Sequence, residues 1–372
     1  MRELRFLAAN PWDLALLTWL PLLLCALIGW QLSGGVIRDL PVVLVDGERS
    51  AIARDLAIRI EGTPGLRLAS TAPDMAAAER LVRSGAAEAI VLIPPETTAR
   101  AFDGRGQITL YVNAAHSAAS ATIQREMAAV IAAANARTAV EDIAAVMPPG
   151  RVRAAPVAAS SVIAFNAPAS QEQQLVSLLH PALLHLLFML ALVSAFGREL
   201  RDASIAQWRP DIPALIGKAA PYVAVFMAWG AAVTAYLAGL RGWTLAGGPG
   251  LLMAGYLAMY AAYAGVTLLL VGATRCMSQS LSLTGLYAGA SFAFAGAIFP
   301  VDQASAFAKG WAQILPFTHF AQLVALDWIG GADAGIAARP LLPMGLIAVA
   351  TALPGAWLYL RAAERPQAWG KR

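Results

Sequence analysis

The sequence predicts an α-helical polytopic membrane protein of six transmembrane helices with one inserted extracytoplasmic α/β domain. Three observations lead there. The 372-residue chain is 58% apolar and only 13% charged, with a mean hydropathy of +0.60, whereas a soluble domain carries about 25% charged residues. Its apolar residues fall into separate runs close to the ~20 that cross a bilayer core. Its basic residues gather on alternate loops. A disordered chain, a coiled coil and an ordinary soluble enzyme are excluded. No basic run with interleaved aromatics suggests nucleic acid.

The first run, Trp12 to Leu32, follows Arg2 and Arg5. It is too long for a secretory leader and lacks a small-residue cleavage site, so it reads as a retained anchor. Five further runs follow, at Leu175–Phe196, Ala214–Leu240, Leu251–Ala273, Leu281–Phe299 and Leu341–Leu360. With six spans, Arg198, Arg201, Arg209, Lys218, Arg275, Arg361, Arg365, Lys371 and Arg372 share a side with Arg2 and Arg5. The opposite short loops hold only Arg241, Lys309 and Arg339. The positive-inside rule then places both termini in the cytoplasm, in an inner (plasma) membrane.

The domains expected are 1–33, the N-terminal segment and first span; 34–174, outside the membrane; and 175–372, a five-helix membrane domain. In the insert, Leu40–Val45 reads as a strand closed by Asp46-Gly47, and Ser50 caps a helix over Ala51–Ile60. Leu66–Leu68, Ala89–Ile93 and Ile108–Val112 read as strands. Pro73-Asp74 opens a helix, and Ala118–Val146 is a long Ala-rich helix too charged to span. Strands alternating with helices imply an α/β domain. Segment 300–340 reads as two short amphipathic helices that lie at, or dip into, the outer interface, its tryptophans favouring headgroup depth, against the alternative of a surface loop.

Chemistry is sparse. Cys25 and Cys276 both fall at apolar spans, so the insert has no disulfide framework or thiolate metal site. A phosphate-binding loop needs Gly-x4-Gly-Lys-Ser/Thr; Gly217-Lys218 is followed by Ala219, and Ile212 stands where the leading Gly belongs. No Ser-His-Asp or paired-carboxylate spacing stands out, so no catalytic or metal site is expected. His180 and His185 lie about 140° apart on a helix, unsuited to shared metal ligation. They read as core histidines bonded to a neighbouring helix or as lining of a polar pathway. Gly285, Gly289, Ala293 and Ala297 recur every four residues, a small-residue stripe for a subunit interface or for internal packing. Ser282, Thr284 and Ser291 add polarity to it. The loop 197–218 carries Arg198, Glu199, Arg201, Asp202, Arg209, Asp211 and Lys218 around Trp208. Mixed charge beside an exposed tryptophan suits protein docking; the alternative is a solvated loop.

In order along nearly the whole chain, these features resemble the permease subunits of ABC type-2 exporters that carry a large extracytoplasmic domain after the first span. Val42 to Ser50 looks like the family's opening strand and acid-rich turn, and Ala89-Ile90-Val91-Leu92-Ile93-Pro94 like its Pro-closed strand. Phe165-Asn166-Ala167-Pro168 and Pro181-Ala182-Leu183-Leu184 resemble the approach to the second span. Gly217-Lys218 with Pro221-Tyr222 resembles the start of the third. Phe299-Pro300 and Leu315-Pro316-Phe317-Thr318 resemble its outer loop of re-entrant helices. The family's acidic-Gly-Thr element after Arg-Glu is replaced here by Asp202-Ala203-Ser204. The resemblance implies a dimeric exporter half whose partners are ABC ATPase subunits, a second permease copy or related permease, and the lipid bilayer. It places ATP and Mg on the ATPase, docked on 197–218 and on Met1–Pro11. The second and fifth spans would wall the pathway. A periplasmic adaptor would meet the outer domain in an organism with two membranes. The alternative function is a membrane-anchored receptor whose outer domain binds a ligand without transport.

Overall fold

A computed structural model describes residues 3, 6–7, 10–31, 38–48, 51–95, 97, 108–112, 117–146, 171–208, 210–243, 245–296 and 304–370. The Ser50 cap, Arg209, Phe165–Pro168, Ala297 and Phe299-Pro300 lie outside them. In chain order the elements are α1 (Pro11–Leu17), α2 (Trp19–Gln31), β1 (Leu40–Asp46), α3 (Ala51–Glu61), β2 (Leu66–Ala72), α4 (Met75–Arg83), β3 (Ala89–Ile93), β4 (Thr109–Val112) and α5 (Ser117–Val146). Then come α6 (Gln171–Arg201), α7 (Ile205–Trp208), α8 (Ile212–Ala235), α9 (Pro249–Thr274), α10 (Met277–Gly289), α11 (Ala306–Gln313), α12 (Pro316–Val324), α13 (Ala334–Ala337) and α14 (Leu341–Ala363). The chain forms two compact units: Met1–Gly35 with Ala164–Arg372, and Val36–Ile163.

The second unit is a four-stranded sheet in the order β2-β1-β3-β4, parallel except for the β3–β4 pair. β1 is apolar almost throughout because both its faces are covered. Leu40, Val42 and Leu44 pack with Leu56 and Ile60 of α3 and Ile123 and Met127 of α5, while Val43 and Val45 meet Ala78 of α4. Asp74 opens α4, its carboxylate accepting from the Ala77 N–H at 2.7 Å. Gly47 ends β1 where a Cβ would lie 2.9 Å from the Ile93 carbonyl oxygen.

Among the described residues of the membrane unit, five helices are long and apolar enough to cross a bilayer: Pro11–Gln31, Leu175–Arg201, Ile212–Leu240, Pro249–Thr274 and Ala334–Ala363. Prolines shape them. Pro21 lacks the N–H that would bond the Leu17 carbonyl, so the helix breaks at Thr18 and resumes as α2. The indole Nε1–H of Trp229, on α8, donates to that Leu17 oxygen at 2.8 Å. α9 and α14 run in close contact at glycines. A Cβ on Gly355 would lie 2.6 Å from the Leu269 nitrogen, and one on Gly265 2.9 Å from the Ala348 oxygen.

One expectation is corrected here. The run Leu281–Phe299 is not one continuous helix. α10 ends at Gly289, and three-residue turns follow through Gly296, which has φ +75°. Its 13 residues reach about 20 Å, short of a bilayer core of ~30 Å. Serines and glycines, poor interior helix residues, leave the run without the propensity to continue. Gly285 and Gly289 therefore do not continue as a helical stripe through Ala293. A Cβ on either would meet nothing within 4 Å among the described residues. The outer segment forms two short helices, as expected: α11 exposes Phe307, whereas α12 is buried on nearly every side and Trp328 is buried in the core.

Candidate functional site

The charged residues of the second and third spans meet at one end of the helix bundle. α6 carries the ladder Leu190, Ser194, Arg198, Arg201 to its last turn, and Asp211 caps α8 by accepting from the Ala214 N–H at 2.8 Å. That cap sets α8 so that Lys218 and Tyr222, one turn apart, face α6. Lys218 Nζ donates to Glu199 Oε1 at 2.8 Å and to Glu3 Oε2 at 2.6 Å. Tyr222 donates to Glu3 Oε1 at 2.5 Å, and Arg198 Nη2 donates to the same oxygen. Ser204 donates to Glu199 Oε2 at 2.5 Å. Two carboxylates and two cations are thus buried together with no net charge.

Aromatic rings close the cluster. The Arg198 guanidinium lies 3.5 Å from the centroid of Phe6, and Lys218 Nζ lies 5.0 Å from that of Trp208. Trp208 also meets Tyr359 of α14 edge-on, and Tyr359 donates to the Phe196 carbonyl at 2.9 Å. The chain's far end folds back here too, the Gly370 N–H donating to the Leu200 carbonyl at 3.0 Å. Burial alone would raise the pKa of Glu3. The Lys218 charge and its hydrogen bond, with the Tyr222 hydroxyl and Arg198, outweigh it and hold the carboxyl below the ordinary glutamate value.

This arrangement sorts the residues singled out from the sequence. Arg198, Glu199 and Lys218 are buried and belong to the cluster. Trp208 is half-buried against it and is not the exposed anchor expected; an indole next to an ammonium and a tyrosine ring is better placed inward. The exposed rim consists of Arg201, Asp202, Ala203, Ala206, Gln207 and Asp211. On it Arg201 and Asp202 form a bidentate pair at 2.8 and 3.2 Å. Ala203 turns the chain at φ +56°, a left-handed conformation uncommon outside glycine and asparagine. Sequence reasoning missed Glu3 and Tyr222 as partners. The only signal for Glu3 is a lone acid within Arg2-Glu3-Leu4-Arg5.

The remaining candidates lie away from this cluster. His180 bonds the Val176 carbonyl of its own helix at 2.9 Å and the Cys25 carbonyl of α2 at 3.0 Å. His185 bonds the Pro181 carbonyl at 3.0 Å and reaches toward the Ala288 carbonyl of α10 at 3.4 Å. Its ring is stacked between Tyr263 and Phe317, at 4.5 and 5.0 Å. Both histidines therefore join helices. Ser291 is buried against the Tyr263 hydroxyl at 3.2 Å, and Ser282 is exposed and bonded to the Ser278 carbonyl one turn back. Another acid unanticipated from sequence, Asp327, is buried where the Gly248 N–H opening α9 donates to it, and the Gly247 position leaves no room for a Cβ beside its carboxylate.

Among the described residues, the helical bundle thus carries a buried charge cluster at a helix end, beneath a short exposed loop, and its apolar helices define a polytopic membrane protein. A family model described as "ABC-2 family transporter protein" matches residues 11–356. The chain belongs to that family, and is a membrane permease of the ABC transporter class. Membership implies an ABC ATPase partner; membrane components of this family are generally not catalytic themselves. No curated protein and no solved structure matched the chain.

Proposed function

We propose that this chain is the transmembrane half of an ATP-driven exporter, paired with a second permease copy, and that a separate ATPase docks on the rim from Arg201 to Asp211. The observation that carries the reading is the buried cluster beneath that rim. Glu3, Arg198, Glu199 and Lys218 fasten the N-terminal segment and the second and third spans to the loop, so a push on the loop moves three elements together. ATP-driven closure of the ATPase pair would make different contacts with the rim in its two states, and only such a difference can shift the spans between inward- and outward-open arrangements. ATP and Mg would be held by the ATPase, and both termini would lie in the cytoplasm of an inner membrane. The pathway would run between two copies. α6 and α10, the second and fifth spans, would wall it; α10 presents Gln279 and Ser282 beside Leu283 and Leu286 on its exposed side. Six crossings would follow if the segment after α10 completes the fifth.

The test is retention of the ATPase by the purified permease. Asp202→Lys and Gln207→Glu should each weaken retention, while Gly250→Ser, exposed in the first turn of α9, should not. The permease alone should hydrolyse no ATP above background. Hydrolysis that stays with the chain after every contaminating ATPase is removed would contradict the reading.

A further inference from the structure

A cavity of about 400 Å³ lies beside the charge cluster, between the N-terminal helix, α6 and α10. Two of its walls share one gradient. On α6 it runs from Arg201 and Arg198 through Ser194 to Leu190, and on α1 from Asn10 and Asp13 to Leu16; the α10 wall, Met277 and Leu281, is apolar throughout. Charge sits at the loop end and hydrocarbon one to three turns deeper, so the cavity has the profile of an amphiphile with a compact polar head. Its volume is at the low end of ligand sites, roughly 300–1,000 Å³. That is enough for a headgroup, with chains leaving along the exposed apolar flank at Leu22, Leu23 and Leu27.

The polar end is only partly satisfied by the protein, Arg201 being paired with Asp202 through Nε and Nη2. Arg198 is buried, pairs with Glu3 through Nη2, and has no partner for Nη1. Arg201 Nη1 meets only the Met277 sulfur, at 3.5 Å, a weak acceptor. Beyond its Asp202 pair Arg201 keeps Nη1, with the buried Arg198 charge behind it, and such a donor suits a phosphate, which accepts charge-assisted bonds. Opposite it Asp13, buried and accepting from Ser194 at 2.6 Å, adds a negative charge that a purely anionic head would not favour. We infer that this cavity binds a phospholipid whose head carries a phosphate and a primary ammonium, the phosphatidylethanolamine class, from the leaflet on the Arg201–Trp208 side. The phosphate lies against Arg201 and the ammonium against Asp13. A trimethylammonium head cannot donate to Asp13, and a glycerol head lacks the positive charge. The inference rests on the membrane placement of the chain and not on ATPase coupling, so either can fail without the other.

The experiment is native mass spectrometry of the full chain released from mixed micelles holding equimolar phosphatidylethanolamine, phosphatidylcholine and phosphatidylglycerol. The wild type should keep phosphatidylethanolamine in preference to the other two. Asp13→Asn retains the Ser194 acceptor and should reverse that preference toward phosphatidylglycerol by about tenfold, the scale of one charge-assisted contact. Leu281→Trp should fill the cavity and abolish retention of all three while the protein stays monodisperse. Leu346→Trp, on the exposed face of α14, should change nothing. Equal retention of the three lipids by the wild type, or retention unchanged in Leu281→Trp, would overturn the site. So would an equal loss in Leu346→Trp, which would mean annular lipid only. A Trp12→Cys cross-link between two copies that is unaffected by added phosphatidylethanolamine would assign the cavity to a second copy and overturn it too.

Discussion

At the scale of single residues, the account turns on Glu3. Its carboxylate is shared by Arg198, Lys218 and Tyr222, so removing its charge leaves two buried cations facing one acid. Glu3→Gln should lower stability by about 3–5 kcal/mol, the cost of breaking a buried ion pair on one side. Arg198→Gln in the same background should cost less than the sum of the two, since the partners then leave together. Thermal unfolding in detergent measures both. The pH dependence has a definite sign. Because Glu3 titrates below its ordinary value when folded, its stabilisation is complete above the ordinary glutamate pKa and is lost as pH falls through the folded value. Stability of Glu3→Gln relative to wild type should therefore converge at acid pH and diverge toward neutrality. The acids and bases of the loop were legible as a mixed-charge patch, but their inward or outward placement was not. Charge pattern alone does not distinguish a lysine buried on two carboxylates from one in water, and Glu3 lies 195 residues from Arg198 in the chain.

At the scale of elements, the helices follow from apolar runs, prolines and caps, and most were legible. The α4 cap at Asp74 and the β1 turn at Asp46-Gly47 were read directly from turn chemistry. The break in α10 was not, because hydropathy counts apolar residues without regard to helix propensity, and Ser, Gly and Thr dilute that run locally. Long-range partners of backbone groups were equally invisible. Trp229 answers the Leu17 carbonyl that Pro21 leaves free. Trp229→Phe should cost about 1–3 kcal/mol by leaving that oxygen unpaired, and Pro21→Ala should recover part of the loss by restoring a helical N–H. A separate test addresses the α9–α14 contact. A Cβ at Gly355 would press on the Leu269 backbone, which a helix in close packing cannot relieve by a rotamer change. Gly355→Ala should destabilise by about 1–3 kcal/mol, read as a lower unfolding temperature.

For the whole molecule, the basic residues and apolar runs carry the membrane assignment, and the family match carries the class. Orientation rests on the positive-inside rule, and site-directed labelling in intact cells examines it. Ser84→Cys in the Val36–Ile163 unit and Gly250→Cys should react with a membrane-impermeant maleimide. Ala206→Cys should react only after permeabilisation; labelling of Ala206→Cys in intact cells would reverse the topology. The central claim is that the rim over the Glu3 cluster is where the ATPase engages the permease. The most direct measurement is co-purification of the ATPase with Asp202→Lys at a concentration near the wild-type dissociation constant, beside the unfolding temperature of the permease alone. Asp202 is exposed and outside the buried cluster, so the account expects ATPase retention to fall at least about tenfold, a ~1.4 kcal/mol loss, with the unfolding temperature unchanged. Retention equal to wild type would contradict it.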